Sequence, residues 1–193
     1  MKTEASTRLM LTAEAYWEYV KRLIKDLKIK QIGEGAYSQV FQHPTLKNIV
    51  VKLTRRDTQY LKFARFAMDN PKNLWLPRIA AIEPIKVDGR DTSKAHAVFM
   101  EKLAPVSAGD KQKLIKTLTQ TYDLRPSANP NFKWVAPFLW FEKSEWARLA
   151  KTNKDPGLAQ FAVFTVKNFD HLDLHQQNIM KRGQQIVFVD PFR

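Results

Sequence analysis

The order of strand and helix patterns along this chain restricts its possible folds more than any other feature. Short runs rich in β-branched residues, separated by glycine and proline turns, lie before residue 104, and most helical patterns lie after it. Strands that precede helices, rather than alternating with them, predict an α+β fold. We expect a single domain with a small β-rich lobe over residues 29–103 and a reduced, mainly helical lobe over residues 104–193.

Local patterns predict the individual elements. A turn is also expected at 181–183, inside a final hairpin. Strands are predicted at residues 29–32, 37–42, 49–53, 79–87 and 96–103. Helices are predicted at 13–27 and 58–68, then after caps at Asp110, Ser144 and Asp155, the last with Pro156 at its first position and an end near Phe169.

Composition excludes several kinds of protein. The 193 residues include no cysteine and only four histidines, so a disulfide framework and a thiolate zinc site are excluded. No long apolar run or signal peptide is evident, and we expect a cytoplasmic protein without membrane contact. The net charge of +13 is spread along the chain, which favours either binding to nucleotides, nucleic acid or acidic proteins, or a solvated basic surface.

A glycine pair between two predicted strands is the first indication of ligand binding. Gly33 and Gly35 lie in the run IGEGAYSQV, and glycine lets backbone amides approach phosphate groups closely. Its place between strands disfavours a Rossmann or Walker-type loop, and alone it is typical of an ordinary turn. Lys52 follows on the third strand among apolar residues, where an inward-facing lysine is costly unless an anion meets it.

The run HLDLHQQN, residues 171–178, carries the strongest chemical signal. Asp173 and Asn178 are five positions apart, and Asp190 follows the apolar run 186–189. A carboxylate that takes a proton, together with an amide oxygen and a second carboxylate that bind Mg²⁺, suits phosphoryl transfer. The spacing predicts a β-hairpin that returns Asp190 to Asn178. Taken alone, Asp173 would be interpreted as an ordinary turn residue and Asp190 as an ordinary residue at the end of a strand.

Together, these motifs resemble a eukaryotic-like protein kinase, and more closely the early serine/threonine kinases of lytic podophages. The resemblance lies in two blocks, residues 32–53 and 171–191, and between them only the order of elements matches. Aminoglycoside and choline phosphotransferases share a similar D-L-H-x-x-N loop and are the competing family. The residues that carry the resemblance are Gly33, Gly35, Ser38, His43, Pro44, Leu46, Lys52, Asp173, Leu174, His175, Asn178, Ile179, Met180, Asp190 and Pro191.

The resemblance implies a two-lobed enzyme that binds ATP and Mg²⁺ between its lobes. Asp173 and Lys52 would be the catalytic residues, and Asn178 and Asp190 the metal ligands. It also implies phosphorylation of proteins of the infected bacterium, or of the kinase itself, in the host cytoplasm. The residues implied to contact ATP are Gly33, Glu34, Gly35, Ala36, Ser38, Val40, Lys52, Glu101 and Leu103.

Departures from the kinase pattern leave two other functions open. No glutamate lies between Lys52 and Glu83, so Asp57, Gln59 or Asp69 would have to pair with the lysine. No activation segment follows Asp190, and the aromatic stretch 132–146 is considered as a substitute substrate platform. One alternative is a catalytically weak kinase-like protein that binds and inhibits a host protein, acidic or associated with nucleic acid. The other is a small-molecule phosphotransferase.

Overall fold

The computed structural model describes residues 29–35, 37–55, 57–87, 90–125, 143–152, 154–169 and 178–191. The described residues form two compact units. The first comprises those up to Met68 together with Arg78–Lys102, and the second comprises Asp69–Pro77 together with those from Leu103 onward. The helix predicted at 13–27 lies outside the described residues. The α+β class is confirmed, since the first unit holds an antiparallel sheet and the second holds most of the helices.

The first unit is built on a five-stranded antiparallel sheet with the strand order β1-β2-β3-β5-β4. Helix α1, Thr58–Asp69, connects β3 to β4. The central strand β3 has the sequence IVVKLTR, in which β-branched residues favour extended backbone. The strands are β1 Gln31–Gly35, β2 Ser38–Gln42, β3 Ile49–Arg55, β4 Ile79–Val87 and β5 Arg90–Glu101.

Strand β5 differs most from its predicted bounds. It begins at Arg90, six residues before the predicted start, and it ends at Glu101 rather than at Leu103. Its first residues are polar and give no strand pattern, yet Arg90 pairs with Val87 of β4. Pairing with a neighbouring strand, rather than intrinsic propensity, therefore fixes where β5 begins.

Helix α1 follows its predicted bounds to within one residue. The Asp57 carboxylate accepts a hydrogen bond of 2.8 Å from the Tyr60 backbone N–H, which satisfies one of the donors left open at a helix start. Its apolar side covers part of the core of the first unit. The buried residues of α1 are Tyr60, Leu61, Phe63, Ala64 and Ala67.

The second unit combines helices with a small three-stranded sheet of order β6-β7-β8. No helix in the described part of the chain is long and apolar enough to cross a membrane. Helix α2 continues into one π-helical turn, Thr117–Thr121. The remaining elements are β6 Ala104–Pro105, α2 Ala108–Lys116, α3 Lys143–Leu149, α4 Pro156–Asn168, β7 Ile179–Arg182 and β8 Gln185–Phe188.

The caps of these helices correct two predictions and confirm a third. Ser107, not Asp110, is the N-cap of α2, and Asp110 is the third residue of a reciprocal capping box. Helix α3 begins at Lys143, so Ser144 is a helical residue rather than the cap. Asp155 caps α4 as predicted, because its carboxylate accepts the Leu158 backbone N–H at 2.9 Å.

The predicted turn at residues 181–183 is shifted along the chain. Strand β7 runs through Arg182 and β8 begins at Gln185, so the turn consists of Gly183 and Gln184. Gly183 has a φ of 60°, a conformation that glycine adopts without steric cost.

A row of aromatic rings forms the core of the second unit. Phe188 of β8 stacks on Phe161 of α4 at a centroid distance of 4.8 Å and on Trp75 at 5.5 Å. Trp146 of α3 meets the edge of Phe161 at 5.7 Å. These four side chains are buried, and they hold the strand that ends two residues before Asp190.

Candidate functional site

The glycine hairpin and Lys52 lie on one face of the five-stranded sheet. Gly33 pairs with Val40, and Val40 pairs with Lys52. Because directly paired residues of an antiparallel sheet lie on the same face, these three positions form one row. Gly35 and Ser38 pair with each other two positions further along the same face. Five of the ATP-contacting residues implied by the sequence therefore share one face of the first unit.

The two glycines differ in the room that they leave for a side chain. A Cβ atom added to Gly33 would lie 3.5 Å from the Val40 Cβ, which is ordinary contact. One added to Gly35 would lie 3.3 Å from the Ser38 hydroxyl oxygen, which is tighter than usual. Ser38 is buried beneath the hairpin. The absence of a side chain at Gly35 therefore leaves room for the Ser38 hydroxyl on this face.

Glu34 and Ala36 differ from the rest of this set. Glu34 pairs with Gln39, which pairs with Leu53, so its side chain lies on the opposite face of the sheet from Lys52. Its carboxylate accepts a hydrogen bond of 3.3 Å from the Gln31 amide. Only the backbone of Glu34 could contact a nucleotide on the Lys52 face. Ala36 lies outside the described residues.

Lys52 occupies the centre of the sheet, as its flanking residues predicted. It pairs with Val40 on one side and Val98 on the other, and its side chain is only 5% exposed. Its Nζ atom lies 3.5 Å from the centroid of the Tyr60 ring. Burying an ammonium group costs free energy, which attractive contacts must offset. The contact with the Tyr60 ring is one that stabilises the charge of Lys52.

The residues assigned to adenine, Glu101 and Leu103, lie at the end of β5 and just after it. Glu101 is the last residue of β5. Leu103 lies two positions later and belongs to the second unit. The backbone N–H of Glu101 donates to the Arg78 carbonyl at 3.0 Å, and that of Lys102 donates to the Asn48 carbonyl at 2.8 Å. These two N–H groups are therefore not available to an adenine ring.

An open depression lies beside Glu101 in the first unit. It has a volume of about 430 Å³, and Arg78, Glu101 and Lys102 are among the residues that line it. Lys52 does not line it. Glu101 follows Met100, which pairs with Val50 on the Lys52 face, so the Glu101 side chain lies on the other face. The depression is therefore distinct from the face that carries the glycine row.

The hairpin of β7 and β8 brings Asn178 and Asp190 together, as their spacing predicted. The backbone carbonyl of Asn178 accepts hydrogen bonds from the N–H groups of Val189 at 2.9 Å and Asp190 at 3.4 Å. Asn178 is buried, and Asp190 is partly exposed. An amide and a carboxylate thus lie at the same end of one hairpin in the second unit.

Two contacts fix this hairpin within the second unit. Lys181 of β7 donates to an Asp110 carboxylate oxygen of α2 at 2.8 Å. The Phe188 N–H of β8 donates to the Trp75 carbonyl at 2.8 Å. The hydrogen bond from Lys181, followed by those from the backbone and hydroxyl of Ser107, holds the pKa of the Asp110 carboxyl well below its usual range.

The donor set at Asn178 and Asp190 fits Mg²⁺. This ion prefers oxygen ligands and is commonly held by one or two carboxylates together with substrate phosphates. Among the described residues, no group of three or more histidine, aspartate and glutamate side chains could hold a metal by itself. The pair therefore suits an ion that arrives with a nucleotide better than one held by protein ligands alone.

Two parts of the site predicted from sequence are not described. Asp173, with its neighbours His171 and His175, lies outside the described residues, so its catalytic role stays a prediction. The aromatic stretch is described only at its end, where Trp146 is buried in the core rather than available to a substrate.

Sequence reasoning did not find the role of Tyr60. The sequence predicted only that it lies in the helix after the lysine strand, because its contact with Lys52 joins two separate elements.

Comparison with known proteins gives a distant structural likeness. No protein-family profile and no curated protein sequence matches the chain. Among solved structures, the chain is similar to the ternary complex of streptomycin, ATP and APH(2")-IIa, an aminoglycoside phosphotransferase. The identity is 15%, the TM-score is 0.33, and the match covers 93% of this chain and 71% of the other. At this degree of likeness the match carries no argument about activity.

Proposed function

We propose that this chain transfers the γ-phosphoryl group of Mg·ATP to a hydroxyl group, and that the acceptor is a serine or threonine of a protein. The main support is Lys52, whose ammonium group is buried on the same face of the sheet as Gly33, Gly35 and Val40. A buried cation in line with a glycine hairpin suits an anionic ligand. The phosphates of ATP meet both features at once.

Each half of the site has a separate task in this proposal. The backbone from Gly33 to Ser38 would cover the phosphates, and Lys52 would bind their oxygens. Asn178 and Asp190 would hold Mg²⁺, which when bound neutralises charge on the phosphates. A positively charged surface, consistent with a net charge of +13, would favour the approach of the nucleotide.

Asp173 would act on the acceptor. Its carboxylate would orient the hydroxyl and take its proton as the hydroxyl oxygen attacks the γ-phosphorus in line. The bond between the γ-phosphorus and the bridging oxygen to the β-phosphate breaks, and ADP leaves with the bonding electron pair. The products are ADP and a phosphate monoester of the acceptor.

The choice of a protein acceptor rests on the resemblance to phage kinases. Residues 32–53 and 171–191 carry that resemblance. On its basis we propose proteins of an infected bacterium, in its cytoplasm, or the chain itself as the targets. The positive charge also suits acidic or nucleic-acid-associated targets.

Transfer of labelled γ-phosphate tests the proposal directly. Wild-type protein, Asp173→Ala and Asp190→Ala would each be incubated with Mg²⁺ and labelled ATP, alone and with a bacterial lysate. We expect labelled protein bands with the wild type and at least a hundredfold loss in both variants. Label that persists in both variants would contradict the assigned roles. Mg-dependent ATP binding without any transfer would instead support the kinase-like binding protein.

A small-molecule acceptor is the second candidate. It is favoured by the run Asp173-Leu174-His175-x-x-Asn178, which matches the phosphotransferases of aminoglycosides and choline as well as it matches protein kinases. Release of ADP would be measured with panels of aminoglycosides and amino alcohols. Stimulation by one of these compounds, without labelled protein, would assign the chain to this class.

A further inference from the structure

The buried lysine of the proposed site rests against an aromatic ring. The Lys52 Nζ atom lies 3.5 Å from the centroid of the Tyr60 ring, well inside the range of about 6 Å over which a ring face attracts an ammonium group. The two side chains are only 5% and 1% exposed. A cation–π contact is strongest when water is excluded, so the ring offsets part of the cost of burying this charge.

Tyr60 is held by one contact of its backbone and two of its side chain. The Tyr60 backbone N–H donates to the Asp57 carboxylate at 2.8 Å in the first turn of α1. Its phenol O–H donates to the Met100 sulfur of β5 at 3.6 Å, a weak acceptor. Its ring packs at a tilt on Phe63, with centroids 6.3 Å apart. The face presented to Lys52 is therefore fixed by a helix and by a strand before any nucleotide binds.

The electrostatic character of this contact suits a phosphate-binding lysine. The ring attracts the ammonium group through its quadrupole and carries no net charge. It touches the ammonium on one side, whereas a lysine has three N–H donors. The lysine can therefore keep the ring contact while it donates hydrogen bonds to phosphate oxygens.

We propose that Tyr60 is a positioning residue for Lys52, orienting the ammonium group in the way that a helix glutamate does in the kinases that this sequence resembles. The proposal rests on the proposed function, because it assigns Lys52 to the phosphates of ATP.

The test measures Mg·ATP affinity and the kinetic constants for ATP in a set of position-60 variants. Tyr60→Leu removes the ring and should weaken affinity and raise KM for ATP about tenfold or more. Tyr60→Phe keeps the ring and should stay within about twofold. Leu61→Ala is the matched control, because it removes buried apolar volume from the same helix and should lower thermal stability without changing affinity.

Two further variants separate the electrostatic role from packing. Pentafluorophenylalanine at position 60 keeps the shape of the ring but reverses its quadrupole, and it should weaken affinity as Tyr60→Leu does. It also keeps the test open if Tyr60→Leu fails to fold. In a Lys52→Met background, Tyr60→Leu should cause no further loss of affinity, because the two residues act as a pair.

The outcomes distinguish this inference from the proposed function. If wild-type protein binds Mg·ATP, the inference is overturned when the fluorinated ring binds as tightly as phenylalanine, or when Tyr60→Leu and Leu61→Ala weaken binding equally. A further loss in the Lys52→Met background overturns it as well. If wild-type protein binds no Mg·ATP, the proposed function fails, and the role of Tyr60 fails with it.

Discussion

Replacing Asp155 by alanine should destabilise the second unit by about 2–4 kcal/mol. One carboxylate oxygen accepts the Leu158 N–H at 2.9 Å and caps α4. The other accepts the Trp75 indole N–H at 2.9 Å and the Tyr122 hydroxyl at 3.3 Å. Alanine would remove all three hydrogen bonds, and two of them come from largely buried aromatic side chains.

The expected magnitude combines two effects. Loss of an aspartate N-cap costs about 0.5–2 kcal/mol. A buried indole N–H left without its acceptor costs about 1–3 kcal/mol. The longer bond from the Tyr122 hydroxyl adds less, and effects within one network are not additive. For a protein of this size, a loss near 3 kcal/mol lowers the unfolding midpoint by about 6–12 °C.

Asn at position 155 is the matched control. Asparagine caps helices about as well as aspartate, so its amide oxygen keeps the Leu158 bond. Its NH₂ group cannot accept the Trp75 indole N–H, so Asp155→Asn should lose only the aromatic part, about 1–3 kcal/mol. Combining each Asp155 variant with Trp75→Phe removes the indole donor and should reduce the cost of both substitutions.

Denaturant unfolding and amide hydrogen exchange would measure the effect. The Trp75 carbonyl accepts the Phe188 N–H and its ring stacks on Phe188, so faster exchange at Phe188 should accompany the loss of stability. A loss below about 0.5 kcal/mol in Asp155→Ala, with an unchanged denaturant slope, would refute the reasoning. So would equal losses for alanine and asparagine.

Two other predictions concern the hairpin that carries Asn178 and Asp190. The pKa of Asp110 is depressed below its ordinary value of 3.8, so the stability that its ion pair with Lys181 provides is present above pH 4 and is lost as the pH falls further. The difference in unfolding midpoint between wild type and Asp110→Asn should shrink over that range, and a pH-independent difference would contradict it. Gly183→Ala should cost about 1–2 kcal/mol at its positive φ, and Gly183→Asn less, in denaturant unfolding. Equal losses for the two variants would contradict the backbone explanation.

Elements with strong local signals were predicted well from the sequence. Strand β4 has its predicted bounds, and α4 starts after Asp155 with Pro156 at its first position. A cap, a proline and a run of β-branched residues act over a few positions, so their effects can be predicted from the local sequence alone. The approach of Asp190 to Asn178 was also predictable, because a short hairpin fixes the register of its own ends.

Features that depend on distant partners were not predictable. Strand β6 has two residues and exists only because Ala104 and Pro105 pair with β7. The pairing that extends β5 to Arg90 overrides a polar sequence. The contact between Tyr60 and Lys52 joins a helix to a strand, and no spacing rule predicts such a pair. Tertiary packing, which a single sequence does not display, decided each of these.

The division of the chain into two units has a consequence for its synthesis. Residues 69–77 belong to the second unit, although the chain returns to the first unit directly after them. Asn73 in this segment donates to the Gly157 carbonyl at 2.8 Å, 84 residues further along the chain. During translation this contact can form only after Gly157 has been synthesised. A fragment that begins at Leu103 would lack Trp75, so a single cut cannot yield the second unit whole, whereas a fragment that ends at Lys102 keeps every residue of the first unit.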